Sequence, residues 1–282
     1  MKIISNYHSH NSYCDGKNTM EEMVLSAIDK GIKYFGISSH APIKNEEHWT
    51  MSKNKLNPYL KEINMLKEKY KEKICIYKGL EIDYFKDIGL NPTALLIMEE
   101  LDYFIGSVHS LGSKNDGGYW YVDDTLESME QGMDELYSGN VQAAVKDYYN
   151  NIIDMVIKYQ PNIVGHIDII KKNNKDNYFF NEKESWYKEI VKKVLLKIKN
   201  TNSIIEINTG GIPRYGYNCL YPSTYFLEEI YRNNINITVS GDSHDINSVN
   251  FYYDEIYKMI KDIGFEKIII LTNNGWEPYL LK

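Results

Sequence analysis

Residues 2–16 read KIISNYHSHNSYCDG, and how this stretch ends decides how the rest of the chain is read. Its β-branched opening has strand character, and His8 and His10 stand one residue apart where the strand would stop. Side chains at i and i+2 share one side of a strand, so both imidazoles can reach a single ion. Asp15 follows five residues after His10, in an Asp-Gly pair with the composition of a turn.

The same pattern recurs along the chain. Short β-branched or aromatic runs appear as YFGISSH (34–40), KICIYKGLEI (73–82), DYFIGSVH (102–109), NIVGHI (162–167), SIIEINT (203–209) and NITVSGDSH (236–244). Between them lie stretches with helical spacing: TMEEMVLSAIDKG, NPYLKEINMLKEKYKE, KDYYNNIIDMVIKYQ, KESWYKEIVKKVLLKIKN and STYFLEEIYRNN. Thr19 is the expected N-cap of the first helix, with Glu22 completing a capping box and Gly31 at the far end. Seven strand–helix units predict an α/β fold with a parallel sheet, most economically closed into a barrel, and one domain over residues 1–282. The run KIIILTN (267–273) supplies an eighth strand or a closing segment.

Six of these seven strands end in, or run directly into, a residue with metal-ligand chemistry. In strand order these are His8 and His10, His40, Glu81, His109, His166, and Asp242 with His244. In a closed parallel barrel all strand C-termini open on one face, so residues far apart in sequence converge there. A lone histidine near a strand end is ordinary; this correlation is not. Glu81 adds weight because a carboxylate ending an apolar strand is costly unless paired or bound to a cation, with Asp83 competing for the same part. Asp242 and His244 repeat the i, i+2 spacing of the opening pair.

A formal net charge of −7 gives no reason to expect nucleic acid, whose binding is dominated by basic surface. The lysines mostly alternate with acids, as in YLKEINMLKEKYKEK, which reads as a solvated helix face. No window approaches the roughly 18 apolar residues of a membrane span. Cys14, Cys75 and Cys219 are odd in number and lack Cys-x-x-Cys spacing, so reduced thiols and a cytoplasmic location are expected. The oligomeric state is not readable from the surface aromatics.

So many nitrogen and oxygen donors exceed what one zinc ion needs, and a cluster of two or three divalent ions, zinc, iron or manganese, fits better, with Glu81 bridging. Such clusters activate water and stabilise both the attacking and the leaving oxygen at phosphorus, which makes phosphate-ester hydrolysis the leading chemistry. A cation for the phosphate is offered by Arg214 in EINTGGIPRYGYN, where the glycines would let the backbone approach a ligand closely. His48 and Trp49, after the second strand, are candidates for the pocket wall.

The order HSH, CDG, SSHAP, GLEIDYF, GSVHSL, GHIDIIKK, EINTGG, YPS and SGDSHD resembles the PHP (polymerase and histidinol phosphatase) superfamily, in its monofunctional histidinol-phosphatase branch, from about residue 7 to 249. The resemblance implies a distorted seven-stranded (β/α)7 barrel, similar to a TIM barrel, with a trinuclear metal centre. Carried over by position, it places His8, His10, Glu81 and Asp242 on a first ion and His109 and His166 with shared Glu81 on a second. Asp15, His40 and His244 fall to a third, and Arg214 to the substrate phosphate. The expected reaction is hydrolysis of L-histidinol phosphate, a small phosphate monoester, by a metal-bridging hydroxide, with Asp242 or His244 assisting proton transfer. Another phosphoesterase activity of the superfamily, on phosphotyrosine protein or a nucleotide 3'-phosphate, is the alternative. Ser39 departs from the pattern, since related sequences often have an acid immediately before the histidine corresponding to His40. The long stretch after His109, residues 111–140, reads as a loop with acids and aromatics at the barrel mouth, and substrate enclosure and disorder both stay open for it.

Overall fold

A computed structural model of the chain describes residues 2–44, 47–114 and 118–281. It is an α/β fold in which helices follow most strands. β1 (Ser5–Asn6) pairs in parallel with β2 (Tyr34–Ile37), and β2 with β3 (Cys75–Lys78). A second sheet runs β11 (Ile237–Ser240), β10 (Ile204–Asn208), β9 (Ile163–Val164), β6 (Ile105–Ser107) and β4 (Glu81–Phe85), all parallel, with the short β5 (Gly89–Leu90) antiparallel at its edge. Every residue of β4 and β10 is buried, as expected for strands covered on both faces.

Two isolated parallel bridges link the sheets. Ser9 pairs with Ser243 beyond β11, and His40, beyond β2, pairs with Glu81. The run 73–82 is thus one bent strand, broken at Gly79 and Leu80, whose halves serve different sheets. At the break the backbone packs closely on buried Tyr103: a Cβ at Gly36 would lie 2.1 Å from its hydroxyl oxygen, and one at Gly79 2.4 Å from its ring.

The helices α1 (Met20–Asp29), α2 (Leu56–Tyr70), α5 (Val141–Tyr159), α6 (Ser185–Lys199) and α8 (Thr224–Arg232) fall where the periodicity places them. Thr19 caps α1 with the reciprocal Glu22 bond, and Gly31 follows at φ +76°. Along α5, Val145, Tyr148, Tyr149, Ile152 and Val156 are buried, the one-sided stripe of a helix lying against a sheet. None of the helices is long and apolar enough to cross a membrane, among the described residues.

Three parts differ from expectation. The run 267–273 forms β12 (Lys267–Thr272), but it pairs antiparallel with β13 (Gly275–Leu280), so it closes one end of the structure and adds no parallel strand. The Tyr7 hydroxyl ties it to β1, accepting from the Leu271 N–H at 2.8 Å and donating to the Leu271 carbonyl at 2.9 Å. A further helix, α9 (Tyr253–Ile263), precedes it. Stretch 111–140 is not an irregular loop. It contains most of a hairpin, β7 (Ser110–Ser113) and β8 (Tyr119–Tyr121), then α4 (Leu126–Tyr137) capped by Thr125. Two short helices, α3 (Pro92–Leu95) and α7 (Ile212–Tyr215), complete the chain, and α7 carries Arg214.

Candidate metal centre

The Ser9–Ser243 bridge builds the first half of the site. The His10 N–H donates to the Ser243 carbonyl at 2.8 Å, and the Ser243 N–H donates to the His8 carbonyl at 3.1 Å. This register sets the pair His8/His10 beside the pair Asp242/His244 on one face. The rings of His10 and His244 stack with centroids 4.1 Å apart, and His10 Nε2 lies 3.1 Å from Asp242 Oδ1. Asp242 has φ +42°, an unusual conformation for a residue with a side chain. Gly210 accommodates it, since a Cβ there would lie 2.6 Å from Asp242 Cβ. The Gly-Gly turn therefore makes room for Asp242 and, at Gly211, for the Cys219 carbonyl.

The His40–Glu81 bridge builds the second half. Glu81 is wholly buried and stands between five imidazoles. Its Oε2 lies 2.9 Å from His40 Nδ1, 3.1 Å from His8 Nε2 and 3.6 Å from His10 Nε2. Its Oε1 lies 2.9 Å from His166 Nε2 and 3.7 Å from His109 Nε2. Asp15 reaches in from the turn after β1, with Oδ2 3.1 Å from His244 Nε2 and Oδ1 3.7 Å from His10 Nδ1.

These donors crowd together without satisfying one another. His8 Nε2, His10 Nε2, His40 Nδ1, Asp15 Oδ1 and Glu81 Oε2 are buried, and none has a hydrogen-bond partner among the described residues. The atoms are close, yet they aim at shared points between them. A buried polar group left so costs about 1–3 kcal/mol, and cations at those points would remove the cost. Three groups have ligand atoms within 4.8 Å of one another: His10, Asp15, His40 and His244; His8, His10 and Asp242; and His8, Glu81 and His166. The residues fit divalent metal ions. His109 is near but in none of these groups; Asp83 Oδ1 holds its Nδ1 at 2.5 Å, and its Nε2 faces Glu81 Oε1 from 3.7 Å.

The donors shift one another: burial disfavours charge on His8 and His40, but Glu206 and Glu81 raise the first and Glu81 the second. Burial, with His244 and His40 alongside, pushes the His10 imidazole down to about 3, leaving it neutral with a lone pair free. Burial opposes charge on Glu81 and Asp242 as well. The histidines override it, His40 and His8 at Glu81 and His8 and His10 at Asp242, and hold both well below the usual carboxylate range. Burial likewise disfavours a charged His109, but Asp83 lifts it to about 10.

Behind the donors lie residues that sequence reasoning missed. Glu206, buried in β10, accepts from His8 Nδ1 at 2.8 Å; its other oxygen accepts from the His166 N–H and from Asn208 Nδ2, both at 2.9 Å. Asp83 orients His109 and leaves the central position to Glu81. Such partners fix which nitrogen faces an ion and raise its basicity. Glu206 carried the same signal that singled out Glu81, a carboxylate inside the apolar run SIIEIN.

The centre floors a cavity of about 530 Å³. Arg214 lines it, with Nε donating to the Gly210 carbonyl at 3.0 Å and a terminal nitrogen 3.7 Å from Asp242 Oδ2. His48 and Trp49 line it too, and the Trp49 ring packs 4.7 Å from His40. From stretch 111–140, Tyr119, Tyr121 and Asp123 reach the same space. Ser39 lies behind His40, its N–H donating to the Tyr59 hydroxyl at 3.1 Å.

The model of the PHP domain matches residues 6–210. The chain belongs to the PHP domain family. Among PHP-domain relatives, it is 26% identical to the protein named "Probable histidinol-phosphatase" of Schizosaccharomyces pombe, over 96% of this chain and 90% of that protein. It is 26% identical to the histidinol-phosphatase of Bacillus subtilis, over 88% and 96% of the two chains. In three dimensions it resembles the histidinol phosphate phosphatase of Lactococcus lactis, a structure solved with zinc, L-histidinol and phosphate. The TM-score is 0.71 at 20% identity, covering 97% of this chain and 98% of that one. This last likeness gives the PHP fold.

Proposed function

We propose that the protein is a divalent-metal-dependent phosphatase that hydrolyses L-histidinol phosphate to L-histidinol and phosphate, in the cytoplasm, with residues 1–282 as one PHP domain. The observation that carries this reading is Glu81, a buried carboxylate whose two oxygens face five imidazoles. Near-full-length similarity to proteins called histidinol-phosphatase supports the choice of substrate. The two bridges that join the sheets support a distorted seven-stranded barrel of β1, β2, the bent β3–β4 strand, β6, β9, β10 and β11.

In this reading His8, His10, Glu81 and Asp242 hold one ion, Glu81, His109 and His166 a second, and Asp15, His40 and His244 a third. Ions held there generate a nucleophile from water at neutral pH and offset charge on the attacking and leaving oxygens. The chain does the rest. Arg214, anchored through Nε, turns its remaining N–H donors to the phosphate. Asp242, at the donor set with Oδ1 3.1 Å from His10 Nε2, is the candidate to assist proton transfer from the attacking water. His244, whose Nδ1 lies 3.0 Å from the Asp242 carbonyl, is placed to return one to the leaving alkoxide.

The test is phosphate release from a metabolite panel, with metal content measured on the same sample. Histidinol phosphate should rank first, and a chelator should abolish turnover. If histidinol phosphate ranks no better than generic esters, the substrate assignment fails. If a His8→Ala/His10→Ala double variant keeps its metal and its turnover, the centre is wrongly drawn.

A further inference from the structure

The cavity has two unlike sides. On the Asp242 side stands Arg214, suited to an anion. On the other side Trp49 packs against His40 and His109, with centroids 4.7 and 5.7 Å away, and meets Tyr121 edge-on at 5.6 Å and 87°. The Tyr121 hydroxyl donates to Glu47 Oε1 at 3.3 Å, which ties the segment carrying Trp49 to the hairpin. Asp123 follows two residues after Tyr121 and lines the same cavity. Its carboxylate carries no hydrogen bond or ion pair among the described residues, and that of Glu47 has Tyr121 as its partner.

Two lysines line the same cavity and are held by neutral partners. The Lys114 ammonium sits 4.4 Å over the Trp120 ring; that of Lys172 donates to the Asp123 backbone carbonyl and lies 4.4 Å over Tyr215. The aromatic side thus offers flat apolar surface bordered by the carboxylates of Glu47 and Asp123. Such a wall stacks a planar ring and attracts a positive charge, through the carboxylates and the faces of Trp49 and Tyr121 together.

We propose that Trp49, Tyr121, Glu47 and Asp123 form the leaving-group half of the site and select phosphate monoesters whose alcohol carries both a planar ring and a positive charge. The proposal rests on the phosphatase reading above and specifies how that site discriminates. L-Histidinol phosphate, with an imidazole and an ammonium group, has both features. With the phosphate held near Arg214 and the metal donors, the alcohol portion extends toward Trp49.

The experiment compares kcat/KM on the metal-loaded protein for four esters: histidinol phosphate, p-nitrophenyl phosphate (ring, no cation), phosphoethanolamine (cation, no ring) and glycerol 2-phosphate (neither). Asp123→Asn and Glu47→Gln should each lower the cationic-to-neutral ratio by about ten- to hundredfold, the scale of a lost hydrogen bond to a charged group. Trp49→Leu should lower the ring-to-no-ring ratio, and Trp49→Phe should restore part of it. Equal losses on all four esters, or unmoved ratios, overturn the proposal. Wild-type preference for another ester with ring and cation would reject histidinol phosphate as substrate and keep the pocket. Turnover indifferent to ring and charge would reject the pocket and keep the phosphatase. Should no ester turn over, calorimetric binding of L-histidinol reads the pocket directly: about tenfold weakening in Asp123→Asn supports it, and equal affinity overturns it.

Discussion

Glu81 is the residue on which the site turns, because its two oxygens face the imidazoles of both the His8/His10 side and the His109/His166 side. Glu81→Gln keeps the volume and removes the charge. It should purify with less bound metal, measured by atomic emission, and with turnover lost in parallel; a variant with full metal and full turnover would show that Glu81 bridges nothing. Glu206 acts one layer out. Glu206→Gln leaves every proposed ligand in place but weakens the partner of His8 Nδ1, and metal affinity or activity should fall by about 10–100-fold, measured by competition with a chromophoric chelator. At this scale the sequence was most informative about residues at strand ends, where i, i+2 spacing and strand order make a pattern. It was least informative about Glu206 and Asp83, whose roles depend on which imidazole edge faces them across neighbouring strands.

Between elements, the contact that matters most for the site is made by Tyr59 of α2. Its hydroxyl accepts the Ser39 N–H at 3.1 Å and reaches the carbonyls of Gly79 at 2.8 Å and Ile37 at 3.1 Å. One buried side chain thus fixes the end of β2, just before His40, and the bend before Glu81. Tyr59→Phe should lower unfolding stability by roughly 1–3 kcal/mol, since it leaves buried backbone groups unpaired, and urea denaturation would measure it. An unchanged midpoint would mean that water or a shifted loop replaces the hydroxyl. The strands were legible because each is a short apolar run ending in a polar residue, and the helices because their apolar spacing is regular. The hairpin of β7 and β8 was not, since SKNDGG between its strands reads as loop chemistry and YWYV is brief. Nor was α9, where lysines and acids dilute the apolar stripe of YDEIYKMIKDI.

At the scale of the whole molecule, the centre joins parts of the chain that share little else. Bound ions stabilise only the folded state, by about 4 kcal/mol at a thousandfold excess over Kd. Chelation should therefore lower the thermal midpoint, measured by calorimetry, and adding a divalent ion should restore it. Far-UV circular dichroism below the transition should change little, because the bonds at Ser9–Ser243 and within the sheets use main-chain atoms and not the side-chain nitrogens and oxygens that would meet the ions. Loss of secondary structure on chelation at low temperature would show instead that the ions hold the two sheets together.

The pairing of Ser9 with Ser243 also sets a timetable for biosynthesis. His8 and His10 leave the ribosome long before the partners that complete their face, Asp242 and His244. A nascent or prematurely terminated polypeptide displays the opening histidines without the strand that registers them. Full metal loading therefore waits until β11 has been made and has docked beside β1.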